Sequence, residues 1–437
     1  MRLSQSPPTE RRYAPFVIKS AFFLTLYLST NSIELFKDGG ARPQGISFFS
    51  FYSGPLNWIE YFWFGSVSLL LAIYLKAQHL RNYFFSSTFT LFIVIATFML
   101  LSSVFAREPL YSIGNSAKII AAYLCIKIYV INSSAEKIAS DLTRFFLTML
   151  VSSLILVLFV PSYGISVGSH EGRWQGLFNH KNALGSFSCL AFIFSISFPH
   201  IRSRWRTVLI ILSAFLIVKS ESTTAFIVAL IGLTTLGAIK ISKKIKLHSV
   251  VFSIIPYVAL TIPLILFFIA MQKNTFELLG KDTTFSLRSS IWQCAIPTLL
   301  DEPLLGHGIT QFERNILNND YSILRCVGFI PSNLHNGFID IAYSLGFPIL
   351  ILMLLSIVAL NAKSPPPLRT YTTVFTVALV TFNSLEAEFL AFCLPFCMFA
   401  VILSMTEHSS PRFSSITLSG KKRSGEPITS SNFKKKS

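Results

Sequence analysis

Three short polar stretches carry residue types suited to chemistry on an anion. They are Gly172-Arg173-Trp174-Gln175-Gly176-Leu177-Phe178-Asn179-His180-Lys181-Asn182, the run from Gly280 through Arg288 to Trp292, and His335-Asn336-Gly337-Phe338. Arginine matches a phosphate because its planar fork meets two oxygens at once. Histidine is the side chain that takes up a proton near neutral pH. A helix opening beside Asn182 offers free backbone N–H groups to an anion. Each stretch abuts a long apolar segment. A cationic, hydrogen-bonding site at the edge of a bilayer suits an anionic, lipid-borne substrate.

The elements that must position these residues are membrane helices. Hydrophobic residues make up 52% of the 437-residue chain and charged residues only 13%, against about a quarter charged in a soluble domain. Such a chain reads as an all-α polytopic membrane protein. Its net charge of +17 sits mostly in short loops and tails, where membrane orientation explains it, so nucleic acid is not implied as a partner. About twelve transmembrane helices fit the hydropathy, at roughly 16–35, 57–76, 83–105, 116–133, 143–161, 183–199, 206–219, 222–240, 249–271, 337–360, 370–386 and 388–406. No Walker-type phosphate loop, nucleophile elbow or H-E-x-x-H element occurs.

Basic residues orient the bundle. Lys76, Arg81, Lys137, Arg202, Arg204, Arg206, Lys240, Lys243, Lys244, Lys246, Lys363 and Arg369 fall on the side of both termini, as does the tail with Lys421, Lys422, Arg423 and Lys434 to Lys436. Both termini are therefore expected in the cytoplasm. The division that follows is a cytoplasmic tail over 1–15, helices one to nine over 16–271, one long periplasmic loop domain over 272–336 between helices nine and ten, helices ten to twelve over 337–406, and a disordered Ser/Lys-rich tail over 407–437. A loop of that length is usually functional, and its apolar run Ile291 to Leu300 reads as a helix. Cys294 and Cys326 share the loop and can pair if it meets an oxidising compartment.

Arginine on the outer face runs against the orientation rule, so Arg173 with His180 and Lys181 needs a reason to be there; a solvated loop arginine is the plain alternative. Arg288 projects from the first turn of a short amphipathic helix, unless it merely pairs with Asp282 or Asp301. His335 stands at the membrane boundary beside Asn336, and His180 and His307 compete with it for a proton-accepting role. Lys219 to Thr224 form a polar break that either closes a helix hairpin or lines a substrate site. Glu386 and Glu388 flank the last outer turn as interface residues, partners of an arginine, or metal ligands. Trp174 and Trp292 are suited both to stacking on sugars and to interfacial anchoring.

Taken together, these residues resemble the O-antigen ligase and polysaccharide polymerase superfamily of bacterial membrane glycosyltransferases. Arg173-Trp174-Gln175-Gly176-Leu177 matches an R-x-x-x-L element, extended by Phe178 to Asn182 in the style of the exopolysaccharide polymerase branch. Gly280-Lys281-Asp282, Arg288, Trp292 and Pro303-Leu304-Leu305-Gly306-His307-Gly308 follow that branch's order, and His335 with Gly346 matches H-x(10)-G. Lys281 stands where the branch often has arginine, and Glu221 and Thr224 depart from its hairpin pattern.

The resemblance implies an inner-membrane enzyme that extends or transfers a glycan carried on undecaprenyl pyrophosphate, with no nucleotide, metal or other cofactor. It implies Arg173 and Arg288 on the leaving pyrophosphate and His335 as base. Lys181, His180, Asn182, Lys219, Asn336 and Trp292 are the expected substrate contacts. A chain-length regulator and export machinery are the expected protein partners. The competing readings are a ligase acting on lipid A-core and a flippase for lipid-linked glycans.

Overall fold

The computed structural model describes residues 10–30, 62–67, 70, 87–166, 171–178, 180–245, 254, 261, 284–309, 312, 325–328, 331, 334–386 and 393–408. Nearly all of the expected span at 249–271, most of that at 57–76, just under half of the loop at 272–336, and nearly all of the tail at 407–437 lie outside them.

Among the described residues the chain is helical and has no strand. The main helices are α1 (Glu10–Leu28), α2 (Ser87–Phe105), α3 (Pro109–Ile131), α4 (Ala135–Phe159), α5 (Lys181–Ser197), α6 (Ser203–Ser220), α7 (Thr223–Lys244), α8 (Thr284–Asp301), α9 (Gly337–Lys363), α10 (Pro366–Leu385) and α11 (Leu394–His408). Helix α1 starts earlier than hydropathy alone suggests. Among the described residues, four helices are long and apolar enough to cross a membrane, at Pro109–Ile131, Ala135–Phe159, Thr223–Lys244 and Gly337–Ala362. Shorter apolar helices cover Phe16–Leu28, Phe89–Phe105 and Leu394–Thr406. The chain is therefore a multi-pass membrane protein. Large apolar side chains such as Phe105, Leu158, Phe159 and Val218 stand exposed, as a lipid-facing surface requires.

Helix α3 packs against α1, α2 and α11, and α5 packs against α6, α7 and α10. Phenylalanines fill the join: Phe146 lies 5.3 Å from both Phe187 and Phe194. Near the start of α4, buried Asp141 takes a hydrogen bond from Tyr129 at 2.6 Å and an ion pair from Lys19 at 3.0 Å. A buried carboxylate is tolerable only with such partners.

Local chemistry sets the helix ends that matter. The polar break between α6 and α7 is a tight turn: Glu221 sits in the left-handed region at φ 50 and Ser222 caps α7 by accepting from Ala225 N. Gly185 lets α5 press into that turn, since a methyl there would collide with Ser222. Helix α9 breaks at Gly346, which has φ 78 and ψ 169. The break and Pro348 leave carbonyls of Tyr343 and Ser344 without their usual helical donors. The run Pro303 to Gly308 fills the gap. His307 N donates to Tyr343 O at 2.8 Å, Gly308 N to Ser344 O at 3.0 Å, and Phe347 N to Pro303 O at 2.9 Å. The P-L-L-G-x-G run and the H-x(10)-G glycine are thus two halves of one clamp.

Candidate functional site

Arg173 is held by its own backbone. Ile165 and Trp174 form an antiparallel bridge; Ser166 N donates to Arg173 O at 2.8 Å, and Trp174 N donates to Lys219 O at 3.3 Å. The loop is thereby tied to its own start at Ile165 and Ser166 and, just after Arg173, to the end of α6. Its Nε lies 3.0 Å from Glu221 Oε2. Lys181, at the first turn of α5, donates from Nζ to Glu221 O at 3.2 Å. Burial, and then the Arg173 charge, push the Lys181 ammonium below the usual lysine range against the pull of Glu221 and Glu386.

Glu386, the residue that ends α10, gathers the other half. Arg288 extends from α8 to donate to Leu385 O at 2.6 Å and to Glu386 Oε1 at 3.2 Å. Thr224 donates to the same oxygen at 3.2 Å. The second oxygen, Oε2, faces His335 Nδ1 at 3.4 Å. The carboxylate is 10% exposed. Burial opposes its charge, but the hydrogen bond with His335 and the Arg288 charge outweigh burial and hold the carboxyl below the usual carboxylate range.

His335 is fixed by both neighbours. Its backbone lies in the left-handed region at φ 46, an uncommon place for a side chain other than glycine. Before it, Leu334 O accepts from the indole N–H of buried Trp292 at 2.7 Å. After it, Asn336 Oδ1 caps α9 by accepting from Phe338 N and Ile339 N at 3.0 and 3.2 Å. The disulfide Cys294–Cys326, with Cα atoms 5.9 Å apart, ties the segment 325–328 to α8.

The structure brings Arg173, Lys181, Arg288 and His335 into one cluster, through Glu221, Thr224 and Glu386. The other sequence candidates have structural work. His180 is the N-cap of α5, its Nδ1 accepting from Asn182 N at 3.1 Å. Asn336 is likewise a cap, and Trp292 braces the chain behind His335. Lys219 is exposed, with its ammonium 5.4 Å from the Trp174 ring. His307 contacts Thr298 O through Nε2 at 2.8 Å and lies against Tyr343, away from the cluster's bonds. Of the three roles open to Glu386, the structure shows partner of an arginine. Glu221, read in the sequence as part of the polar break and as a departure from the hairpin pattern, is the matching partner of Arg173. Among the described residues, no three His, Cys, Asp or Glu side chains gather to hold a metal ion.

The structure thus defines a multi-pass helical membrane protein with cations, carboxylates and one histidine gathered at the ends of its helices. A family model described as O-antigen ligase matches residues 208–354. Over that stretch the chain is similar to the O-antigen ligase family, and the stretch holds the α6–α7 turn, Arg288, His335 and the Gly346 clamp. Arg173 and Glu386 lie outside it. No curated protein matches the chain.

Proposed function

We propose that this protein is a bacterial inner-membrane glycosyltransferase that polymerises undecaprenyl-pyrophosphate-linked oligosaccharide at the periplasmic face. In this reading the bundle has about twelve spans with both termini cytoplasmic. The observation that carries the proposal is the meeting of Arg173, Lys181, Arg288 and His335 around Glu221 and Glu386.

Glycosyl transfer needs no external energy source when the sugar already sits on a diphosphate. An acceptor hydroxyl attacks the anomeric carbon and a new C–O bond forms. The bond from that carbon to the diphosphate oxygen breaks, and its electron pair stays on the diphosphate. His335 takes the hydroxyl proton through Nε2, the ring nitrogen turned away from Glu386. Arg173 and Arg288 meet the charge that builds on the leaving group, with Lys181 beside them. Lys219, His180, Asn182, Asn336 and Trp292 are further proposed contacts, with His180, Asn336 and Trp292 acting chiefly by holding the cluster in place. A chain-length regulator and export machinery complete the proposed setting.

The test uses the purified full-length protein in liposomes with a lipid-pyrophosphate-linked oligosaccharide and no nucleotide. Products longer by whole repeats support polymerisation. Transfer only to an added lipid A-core acceptor makes the protein a ligase. Movement of unchanged substrate across the bilayer, with no covalent product, makes it a flippase and ends the proposal.

A further inference from the structure

Glu386 offers its two oxygens to two different jobs. Oε1 holds Arg288 and Thr224, and Oε2 faces His335 Nδ1. We propose that Glu386 is the positioning residue of the reaction, orienting the His335 ring so that Nε2 points at the acceptor and balancing the proton that the ring receives. This inference rests on His335 acting as the base, as proposed above.

The geometry favours this role over simple packing. The left-handed backbone of His335 is set by the bond from Trp292 before it and the Asn336 cap after it, which turns its ring toward Glu386. A carboxylate beside one imidazole nitrogen fixes which nitrogen carries the proton and so makes the other the basic one. The same carboxylate spaces that ring from a guanidinium, so base and leaving-group cation are set by one side chain. The charged and titratable groups facing Glu386 are Arg288 from α8, His335 before α9, and Lys181 at the start of α5; Thr224 from α7 adds a neutral donor. Its position at the end of α10 brings it there from the last outer turn, beyond the residues that define the family match.

The experiment compares Glu386→Gln in two backgrounds, wild type and His335→Ala, by steady-state and long-incubation elongation of the lipid-linked oligosaccharide. In the wild-type background, kcat is expected to fall by about 30- to 100-fold while KM for the lipid-linked donor changes by less than about threefold. In the His335→Ala background the same change is expected to cost less than about threefold, because the group it positions is gone. Glu386→Asp keeps the charge and is expected to recover part of kcat. A glutamine variant with wild-type kcat, or equal losses in the two backgrounds, overturns the inference. A fully active His335→Ala variant instead overturns the assignment of the base. If the glutamine variant fails to insert, Glu386→Asp is run through the same pair of backgrounds, and equal losses overturn the inference there too.

Discussion

Arg288→Ala separates stability from activity in a way the geometry makes specific. The variant loses a charge-assisted bond to Leu385 O at 2.6 Å and the contact to Glu386 Oε1 at 3.2 Å. It also leaves a carboxylate that is only 10% exposed with one cationic neighbour fewer. Removing one member of a buried pair costs about 3–5 kcal/mol. Arg288 is itself 21% exposed, and Thr224 and His335 remain beside the carboxylate, so about 2–3 kcal/mol is expected. Glu386→Gln in the same chain removes the stranded charge and should return roughly half of that loss. Activity follows another rule. Losing one donor to developing charge costs about 10²–10³-fold in kcat, and the second substitution cannot restore it. The assays are thermal unfolding in one detergent and elongation of the lipid-linked oligosaccharide. A double variant less stable than Arg288→Ala, or an Arg288→Ala enzyme within about threefold of wild type, would refute the reasoning.

Three further outcomes follow from other parts of the structure. The disulfide closes a chain segment of sequence separation 32, so Cys294→Ser is expected to lower stability by about 3–4 kcal/mol by the chain-entropy account; thermal unfolding of the variant beside the oxidised and reduced wild type checks it. A methyl at Gly337 would run into the Asn383 carboxamide, so Gly337→Ala should cost about 1–3 kcal/mol, and Asn383→Ala in the same chain should recover most of it in the same unfolding assay. Glu386 is held below its ordinary value of 4.5, so its stabilising contribution is present at neutral pH and is lost as pH falls through its lowered folded value. The stability gap between wild type and Glu386→Gln should stay level from pH 7 to 5 and close only in more acidic buffer.

Much of the site is legible in the sequence because membranes make charge conspicuous. Arg173, with His180 and Lys181, stands out because the expected outer face disfavours cations, while Arg288 and His335 stand out beside apolar runs; the structure sets Arg173 on Glu221, and Arg288 and His335 on Glu386. Glu386 was harder to read: a carboxylate at the end of an apolar run fits several roles, and only packing between α7, α8 and α10 selects one. His180 and Asn336 show a different ambiguity. A polar residue just before an apolar helix is both a plausible ligand contact and a cap, and here both side chains accept backbone N–H groups. The Pro303 to Gly308 run looks like an ordinary turn until its distant partner, the break at Gly346, is seen. The paired cysteines needed only proximity, which no spacing rule supplies. Hydropathy reached the helical character of the chain readily, because apolar runs bury or face lipid whatever their neighbours.

Residues in the first two turns of α9 help to build a second apolar cluster. Ile291, Trp292, Ala295, Leu299, Leu334, Ile339 and Tyr343 form a small apolar cluster, distinct from the large one that includes Phe178, Leu184, Leu216 and Ala225. Arg288 and His335 ride on the first, Arg173 and Lys181 on the second. Helix α9 supplies residues to both clusters, and Glu386 and Thr224 link the two pairs of side chains. A substitution at Thr224 is therefore expected to loosen the tie between the pairs while leaving each apolar cluster whole.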